Sequence, residues 1–259
     1  MENYLLWTLY LAAGANLLSS LEFLKVREHF RDDGLCAWRV LQWKFSPATR
    51  RRTSFLARER ASSTILIVRL VSSAWVLLDP SSFSALSLMF FSSVLFHVRN
   101  HPLLLDSGDE MLLVVSGALL LQALPLGSSL VERAWLQQAS LIFIASQAVL
   151  SYFVAGCCKW KARWGRGVFL ADLLDCRLLV DAQHADWLQR HSWLLPPMEV
   201  QVMVMQLSAP GLFFLGPEFA AIFLLWSFVF HLLGAVGLGL RTFSHAYLAC
   251  YPSLIYLSC

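Results

Sequence analysis

Charged residues are scarce in this chain of 259 amino acids, of which only 14% are Asp, Glu, Lys or Arg. Soluble globular domains usually contain about 25% of these residues. Hydrophobic residues make up 58%, and they include ten Trp and eighteen Phe. This composition excludes an ordinary soluble domain. It favours a protein embedded in lipid, where aromatic side chains collect at the interface with water.

Several other features are missing. The six cysteines form no C-x-x-C pair, so neither a zinc site nor a disulfide framework is indicated. The first apolar run begins at once, without a basic stretch before it or a clear small-residue cleavage site, so we predict a retained transmembrane helix rather than a signal peptide. The net charge of +3 gives no indication of a nucleic-acid partner, and none is expected.

Long apolar runs dominate what is present. A membrane-spanning helix needs about 20 mainly apolar residues, and the runs predict seven or eight spans. They cover residues 3–24, 62–79, 82–98, 111–127, 137–158, 198–216, 217–240 and 243–258. In lipid every backbone polar group must be bonded within a helix. We therefore predict an all-α, polytopic transmembrane helix bundle that forms a single domain over residues 1–259.

Two basic stretches are not predicted to span the membrane. Residues 25–61 hold ten of the twenty basic residues, mixed with aromatic and aliphatic ones, which predicts an amphipathic helix on the membrane surface. Residues 159–197 combine further basic residues with four tryptophans and are also predicted to be interfacial. The excess of basic residues places 25–61 in the cytoplasm. Counting spans places 159–197 on the same side.

Ionisable residues inside a membrane are costly and are functional candidates by default. Glu22 near the end of the first span and Arg69 midway along the second are predicted to pair across a helix hairpin. Such a pair is consistent with a purely structural role, because a buried pair holds register whether or not chemistry follows.

A polar cluster lies between the third and fourth spans. Its members are His97, Asn100, His101, Asp106, Asp109 and Glu110. The cluster admits a metal site in principle, but it lacks an H-E-x-x-H pair, and a solvated loop is the alternative. Asp109, with Glu110, comes just before an apolar run, so we expect it at a helix N-terminus, where the helix dipole stabilises its charge.

Two further residues are open to two interpretations each. His231 lies in an apolar run, where a histidine is either a hydrogen-bonded packing residue or a proton carrier facing a cavity. Lys159 ends another apolar run. It is either a snorkelling anchor or a base, because burial disfavours the charged ammonium and yields a neutral amine.

Three motifs, in order, resemble segments of the membrane domain of the vitamin K-dependent gamma-carboxylase, a domain shared with bacterial HTTM proteins. The first in the chain resembles the bacterial members in particular. It is Arg99-Asn100 followed by Leu105-Asp106-Ser107-Gly108-Asp109-Glu110-Met111-Leu112 and, downstream, by Leu124-Pro125-Leu126-Gly127. The second is Ala155-Gly156-Cys157-Cys158-Lys159-Trp160 followed by Trp164. The third is Phe230-His231-Leu232 followed by Phe243-Ser244 and Leu248-Ala249-Cys250-Tyr251-Pro252. The resemblance covers nearly the whole chain.

The resemblance implies a specific chemistry. In the carboxylase, a lysine base deprotonates reduced vitamin K, oxygen adds, and the strong base so formed removes a proton from a peptide glutamate, which then captures carbon dioxide. Carried over by position, the base is Lys159, and His231 and Asp109 are the other predicted catalytic residues around a cavity. The implied cofactor is reduced vitamin K or another quinone.

The chain also departs from the carboxylase. Cys158 stands where the vertebrate enzyme has the first of two paired lysines, and Gly108-Asp109 stands where it has an Asn-His pair. The large soluble region with which the carboxylase engages its peptide has no counterpart in these 259 residues. In size and architecture the chain is more similar to the short bacterial type represented by sporulation-delaying protein B, which acts with partner proteins in maturing a secreted peptide toxin.

Three functions follow as hypotheses. One is a membrane enzyme or enzyme subunit in peptide modification or maturation, of the carboxylase-like class if catalytic, acting on a quinone or lipid-like molecule. Another is a non-catalytic membrane partner, such as an immunity or assembly factor for a secreted peptide. The third is a transporter, for which Pro210-Gly211 and Gly216-Pro217 supply broken helices. The expected partners are membrane lipid, a quinone or lipid-like small molecule, and a peptide or protein. The expected location is the bacterial cytoplasmic membrane, crossed several times.

Overall fold

Helices account for all regular structure in the part of the chain that the computed structural model describes, namely residues 1–30, 37–57, 59–100, 107–124, 130–162, 164–175, 182–237 and 241–259. The α-helices are Glu2–Lys25 (α1), Trp38–Leu41 (α2), Pro47–Arg52 (α3), Glu59–Leu78 (α4), Phe83–Asn100 (α5), Ser107–Ala123 (α6), Leu130–Lys161 (α7), Val168–Asp175 (α8), Ala182–Arg190 (α9), Leu195–Ser208 (α10), Gly216–Gly237 (α11) and Arg241–Ser258 (α12). Short 3₁₀ turns lie at Arg27–Phe30, Gln42–Lys44, Ser54–Ala57, Ser192–Leu194 and Ala209–Phe213. The all-α prediction is confirmed for these ranges.

Four of the helices are long and apolar enough to cross a membrane. They are α1, residues Arg60–Leu78 of α4, Glu132–Lys161 of α7 and Gly216–Val236 of α11, with mean hydropathy between 1.2 and 2.2. In the described part of the chain, the other predicted spans coincide with α5, α6, α10 and α12, which have 18, 17, 14 and 18 residues. The coarser prediction of a helical membrane protein therefore holds, while the count of seven or eight spans stays a prediction.

Local sequence explains where the long helices end. After α4, Asp79 accepts hydrogen bonds from the backbone N–H and the hydroxyl of Ser81, at 3.2 and 2.6 Å, and Ser82 caps the first turn of α5. After α10, the chain tightens into a 3₁₀ turn that contains Pro210. Gly216 then takes a φ of 77°, which a residue with a side chain rarely adopts, and α11 begins.

Residues 25–61 do not form one amphipathic helix, so that prediction is wrong. The described part of the stretch consists of short helical turns, because Ser46 caps a new helix that has Pro47 in its first turn. Trp38 and Leu56 are buried in an apolar cluster with residues of α4 and α5, whereas Trp43 is 76% exposed. The segment is therefore held by a few buried side chains and still offers aromatic surface to an interface.

The chain divides into two compact units with the boundary inside α7. The N-terminal unit, Glu2–Ser140, packs α1 against α4, α4 against α5, and α5 against α6. The C-terminal unit, Leu141–Cys259 with Met1, packs α11 against α12 and α10 against both α8 and α11. The single domain predicted over 1–259 stays a prediction.

Candidate functional site

A buried cluster of phenol, imidazole and hydroxyl groups lies within the C-terminal unit. Ser227 and His231 are four residues apart on α11 and so share one face of the helix. The hydroxyl of Tyr152, on α7, lies 2.5 Å from His231 Nε2 and 2.7 Å from the Ser227 hydroxyl. Tyr251, on α12, donates to the same serine at 3.0 Å. A hydrogen-bonded chain therefore joins three helices, and we call these residues, with Tyr247, the His–Tyr cluster.

The surroundings of His231 are almost dry and mostly aromatic. His231 is 1% exposed and Tyr152 is 2% exposed. The imidazole stacks on Tyr247, with ring centroids 4.9 Å apart and planes at 21°, and Phe243 lies 4.7 Å away. Nδ1 of His231 is buried and finds no hydrogen-bond partner in the described part of the chain. Since buried polar atoms usually have a partner, this nitrogen is the unsatisfied atom of the cluster.

A phenol bonded to an imidazole can move a proton, because either group donates in one tautomer and accepts in the other. A neutral imidazole has one donor and one acceptor nitrogen. When Nε2 accepts from Tyr152, Nδ1 carries the proton and is a donor, and when Nε2 donates, Nδ1 is an acceptor. The Ser227 hydroxyl, which both donates and accepts, extends the chain to Tyr251. Hydrogen bonds therefore connect the cluster from His231 to Tyr251 within an apolar interior.

Sequence reasoning identified His231 but missed its partners. The available signal was the four-residue spacing of Ser227 with His231 and of Tyr247 with Tyr251, which places each pair on one helix face. Tyr152 carried no local signal, because it lies on α7, 79 residues before His231, and only packing brings the two together.

Lys159 lies on α7 seven residues after Tyr152, about 10 Å farther along the helix. It is half-buried, and its Nζ sits 4.9 Å from the centre of the Trp164 ring. The backbone N–H of Trp164 donates to the carbonyl of Lys159 at 3.1 Å, which turns the chain at the end of the helix. Trp164 in turn stacks on Phe169 with ring centroids 4.1 Å apart. The ammonium group is thus covered on one side by an indole.

Glu199, on α10, is a second residue that sequence reasoning missed. It is 1% exposed, and its carboxylate accepts three backbone hydrogen bonds, from Gly165 at 2.8 Å and from Gly167 and Leu170 at 2.9 Å. Both glycines have positive φ, 103° and 77°. A buried acidic residue in the apolar run of α10 was the available signal, under the same rule that pointed to Arg69.

Gly156, in the Ala-Gly step before Lys159, marks a close approach of α7 to α10. A Cβ atom at this position would lie 2.9 Å from the backbone nitrogen of Leu207 and 3.1 Å from the carbonyl carbon of Gln206. Gly156→Ala is therefore expected to lower the free energy of unfolding by about 1–3 kcal/mol, since backbone atoms must move to make room. Thermal denaturation in lipid nanodiscs measures the effect.

Gly234→Ala is the matched control, because it lies in α11 of the same unit and a Cβ there meets nothing within 4 Å. We expect this variant to melt at or above the wild-type temperature, since alanine favours a helix over glycine. Equal melting temperatures for the two variants would contradict the close approach of α7 and α10.

Asp109 lies in the N-terminal unit, in the first turn of α6 as predicted, and is 7% exposed. Its carboxylate accepts a hydrogen bond of 3.5 Å from Ser19 and interacts electrostatically with Arg69. Arg69 donates to Asn16 at 2.9 Å and to Ser19 at 3.3 Å. Helices α1 and α4 do pack against each other, but the hydrogen bonds of Arg69 go to Asn16 and Ser19 and not to the predicted partner Glu22.

The remaining members of the predicted polar cluster are divided. His101 and Asp106 lie outside the described residues. Asn100 donates to the carbonyl of Phe96 at 2.9 Å and accepts from Arg99. Among the described residues no group of three or more His, Cys, Asp or Glu side chains is placed to hold a metal ion.

Of the three predicted catalytic residues, Lys159 and His231 thus belong to the C-terminal unit and Asp109 to the N-terminal unit. The His–Tyr cluster holds His231, while Lys159 lies about two helical turns along α7 from Tyr152. Comparison of the chain with protein-family models, with curated proteins and with solved structures finds no match. The resemblance to the HTTM and gamma-carboxylase membrane domain therefore rests on the three sequence motifs and stays a prediction.

Proposed function

We propose that this chain is an integral membrane enzyme, or an enzyme subunit, of the HTTM type, which transfers protons to and from a quinone or lipid-like molecule in the maturation of a peptide. The observation that carries the proposal is the hydrogen bond between Tyr152 and His231, buried in the C-terminal unit. His231 also lies in one of the three motifs that resemble the carboxylase domain.

The energetics of burial support a functional role for this cluster. Burying a polar group without a partner costs free energy, and the same helix positions would accept apolar residues at no such cost. Yet His231 keeps an unpartnered Nδ1 in an almost fully buried position. Polar groups of this kind inside a membrane bundle commonly belong to substrate paths or proton relays.

The chemistry around Nδ1 is the kind that a quinone would use. Tyr247 and Phe243 pack on the imidazole, and Nδ1 has no hydrogen-bond partner among the described residues, so a quinone oxygen bound there would supply the missing bond. A quinone in its reduced form supplies two acidic hydroxyl groups and two electrons. The protein supplies hydrogen bonding at His231, aromatic packing and exclusion of water.

Lys159 is the proposed base. In the neutral form its Nζ would accept a proton and become an ammonium ion, and a reduced quinone bound there would supply the acidic hydroxyl group and react with oxygen, as the resemblance implies. The indole of Trp164 lies beside Nζ and stabilises that ammonium ion.

We further propose that α5, α6, α10 and α12 also lie in the membrane, in addition to the four helices that are long and apolar enough to span it. This arrangement agrees with the seven or eight spans predicted from sequence. The proposed location is the bacterial cytoplasmic membrane.

Hydroquinone-dependent oxygen uptake tests the proposal. The protein is purified in lipid nanodiscs, reduced vitamin K is added, and oxygen is followed with an electrode. We expect uptake above that of empty nanodiscs, and none with the corresponding quinone. Uptake equal to that of empty nanodiscs, with reduced vitamin K and with reduced menaquinone alike, would argue against the enzyme.

A non-catalytic membrane partner for a secreted peptide is the second candidate, and the position of Lys159 favours it. The side chain ends a long apolar helix beside an indole, as an interfacial anchor does. This function predicts co-purification with a peptide precursor or its export machinery, and full activity in the producing cell after Lys159→Arg and after His231→Gln. Loss of activity with the complex intact would contradict it.

A further inference from the structure

The segment between α7 and α8 carries an arrangement that the motifs did not predict. We infer that Trp164 and Glu199 are positioning residues for Lys159: Glu199 folds the turn after α7, and this turn holds the Trp164 indole against the lysine ammonium. The consequence of this positioning for catalysis by Lys159 rests on the function proposed above. The positioning itself is independent of that function.

Glu199 determines the path of the turn. Its Oε2 accepts from the N–H groups of Gly165 and Gly167, and its Oε1 accepts from the N–H of Leu170. Hydrogen bonds to a carboxylate are roughly twice as strong as those between neutral groups. One buried side chain on α10 thus fixes the backbone from Gly165 into the first turn of α8.

The two glycines show how closely this turn lies against α10. A Cβ atom on Gly165 would come within 2.9 Å of Val200, and one on Gly167 within 3.0 Å of Pro196. Their positive φ values also disfavour any residue with a side chain. The turn therefore has little freedom, and Trp164, which directly precedes Gly165, is placed by it.

Trp164 is held from two further directions. Its backbone N–H bonds to the Lys159 carbonyl at 3.1 Å, and its ring stacks on Phe169 at 4.1 Å. Its free face meets the Lys159 Nζ at 4.9 Å, within the range of a cation–π contact, for which tryptophan is the best partner. By contrast, Lys161 lies two residues farther along and is exposed. The indole therefore gives Lys159 an environment different from that of its neighbour.

The test is the rate at which each lysine is acylated by a small water-soluble reagent, with the whole protein in nanodiscs and sites resolved by mass spectrometry. Trp164→Leu removes the π face and keeps apolar bulk. Glu199→Gln keeps the shape but turns an N–H₂ group toward backbone donors. We expect each to raise the ratio of Lys159 to Lys161 labelling by about fivefold, because Nζ is uncovered and loses its π partner.

Matched controls exist for both variants. Trp160→Leu alters a tryptophan that is 67% exposed next to Lys159, and Glu218→Gln alters an exposed glutamate at the start of α11. Both should leave the labelling ratio within about twofold of the wild type, the scatter expected for exposed positions. Trp164→Phe keeps an aromatic ring stacked on Phe169. Its labelling ratio should therefore be close to that of the wild type, whereas a purely structural disturbance at this position would raise the ratio in both variants.

An unchanged ratio in both Trp164→Leu and Glu199→Gln would overturn the inference, and so would an equal rise in the two controls. If Glu199→Gln fails to fold, Trp164→Leu decides alone. The labelling needs no substrate, so its outcome is separate from that of the proposed function. The two proposals can also fail separately. If Trp164→Leu and Glu199→Gln raise the labelling ratio but Lys159→Ala leaves hydroquinone-dependent oxygen uptake unchanged, the positioning role stands and Lys159 is not the base.

Discussion

Replacing Arg69 with methionine is expected to lower the free energy of unfolding by about 3–5 kcal/mol, the usual cost of removing one member of a buried ionic group. Arg69 is 2% exposed within the N-terminal unit. Its guanidinium binds Asn16 on the same unit's α1 and Ser19 one turn later, and Ser19 bonds in turn to Asp109. The substitution leaves two buried oxygens, on Asn16 and Ser19, without this donor and removes the positive charge that interacts with Asp109.

Arg60→Met is the matched control, since Arg60 is exposed on the same helix, α4. It should change the free energy of unfolding by less than about 0.5 kcal/mol. A cycle with Asp109→Asn separates the charge pair from packing: we expect a coupling energy of about 1–3 kcal/mol between positions 69 and 109. Strictly additive effects in denaturant-induced unfolding would show that the two charges act independently.

Lys159→Ala is expected to reduce hydroquinone-dependent oxygen uptake by about 10²- to 10⁴-fold, the usual contribution of a general base. The physical reason is that the neighbouring amine cannot replace it. Lys161, two residues farther along α7, is exposed and lies on a different face of the helix. Lys161→Ala should therefore retain most of the uptake. The same oxygen electrode measures all variants.

Lys159→Arg distinguishes the base from the anchor. Arginine keeps the positive charge and the contact with Trp164 but cannot lose its proton in a protein. A base is lost in this variant, whereas an anchor is preserved. Uptake in Lys159→Arg near the wild-type level would contradict proton abstraction by this residue and favour the non-catalytic partner.

Much of the fold could be predicted from apolar run length, because lipid forces backbone groups to bond within helices. The turn at Asp79 and the break at Pro210 were likewise visible as local signals. The membrane-surface stretch was not predicted correctly: its composition was that of one amphipathic helix, but the cap at Ser46 starts a new short helix inside it.

The candidate site could be predicted only in part, for a different physical reason. His231 stood out because a titratable group in an apolar helix is costly. Its partners Tyr152 and Ser227 are uncharged and common in membrane helices, so local sequence gave them no special weight. Glu199 acts on backbone atoms about 30 residues before it. Such long-range pairings depend on which helices pack together, and the spacing of apolar residues along the sequence does not specify this.

The central claim is that the C-terminal unit binds a hydroquinone beside His231, and photoaffinity labelling tests it most directly. A quinone analogue that carries a diazirine is reduced, bound to the protein in nanodiscs, activated by light and located by peptide mass spectrometry. We predict cross-links within Leu141–Cys259, on α7, α11 or α12, that reduced vitamin K competes away and that His231→Gln weakens. Cross-links confined to Glu2–Ser140, or cross-links that reduced vitamin K does not displace, would contradict the claim.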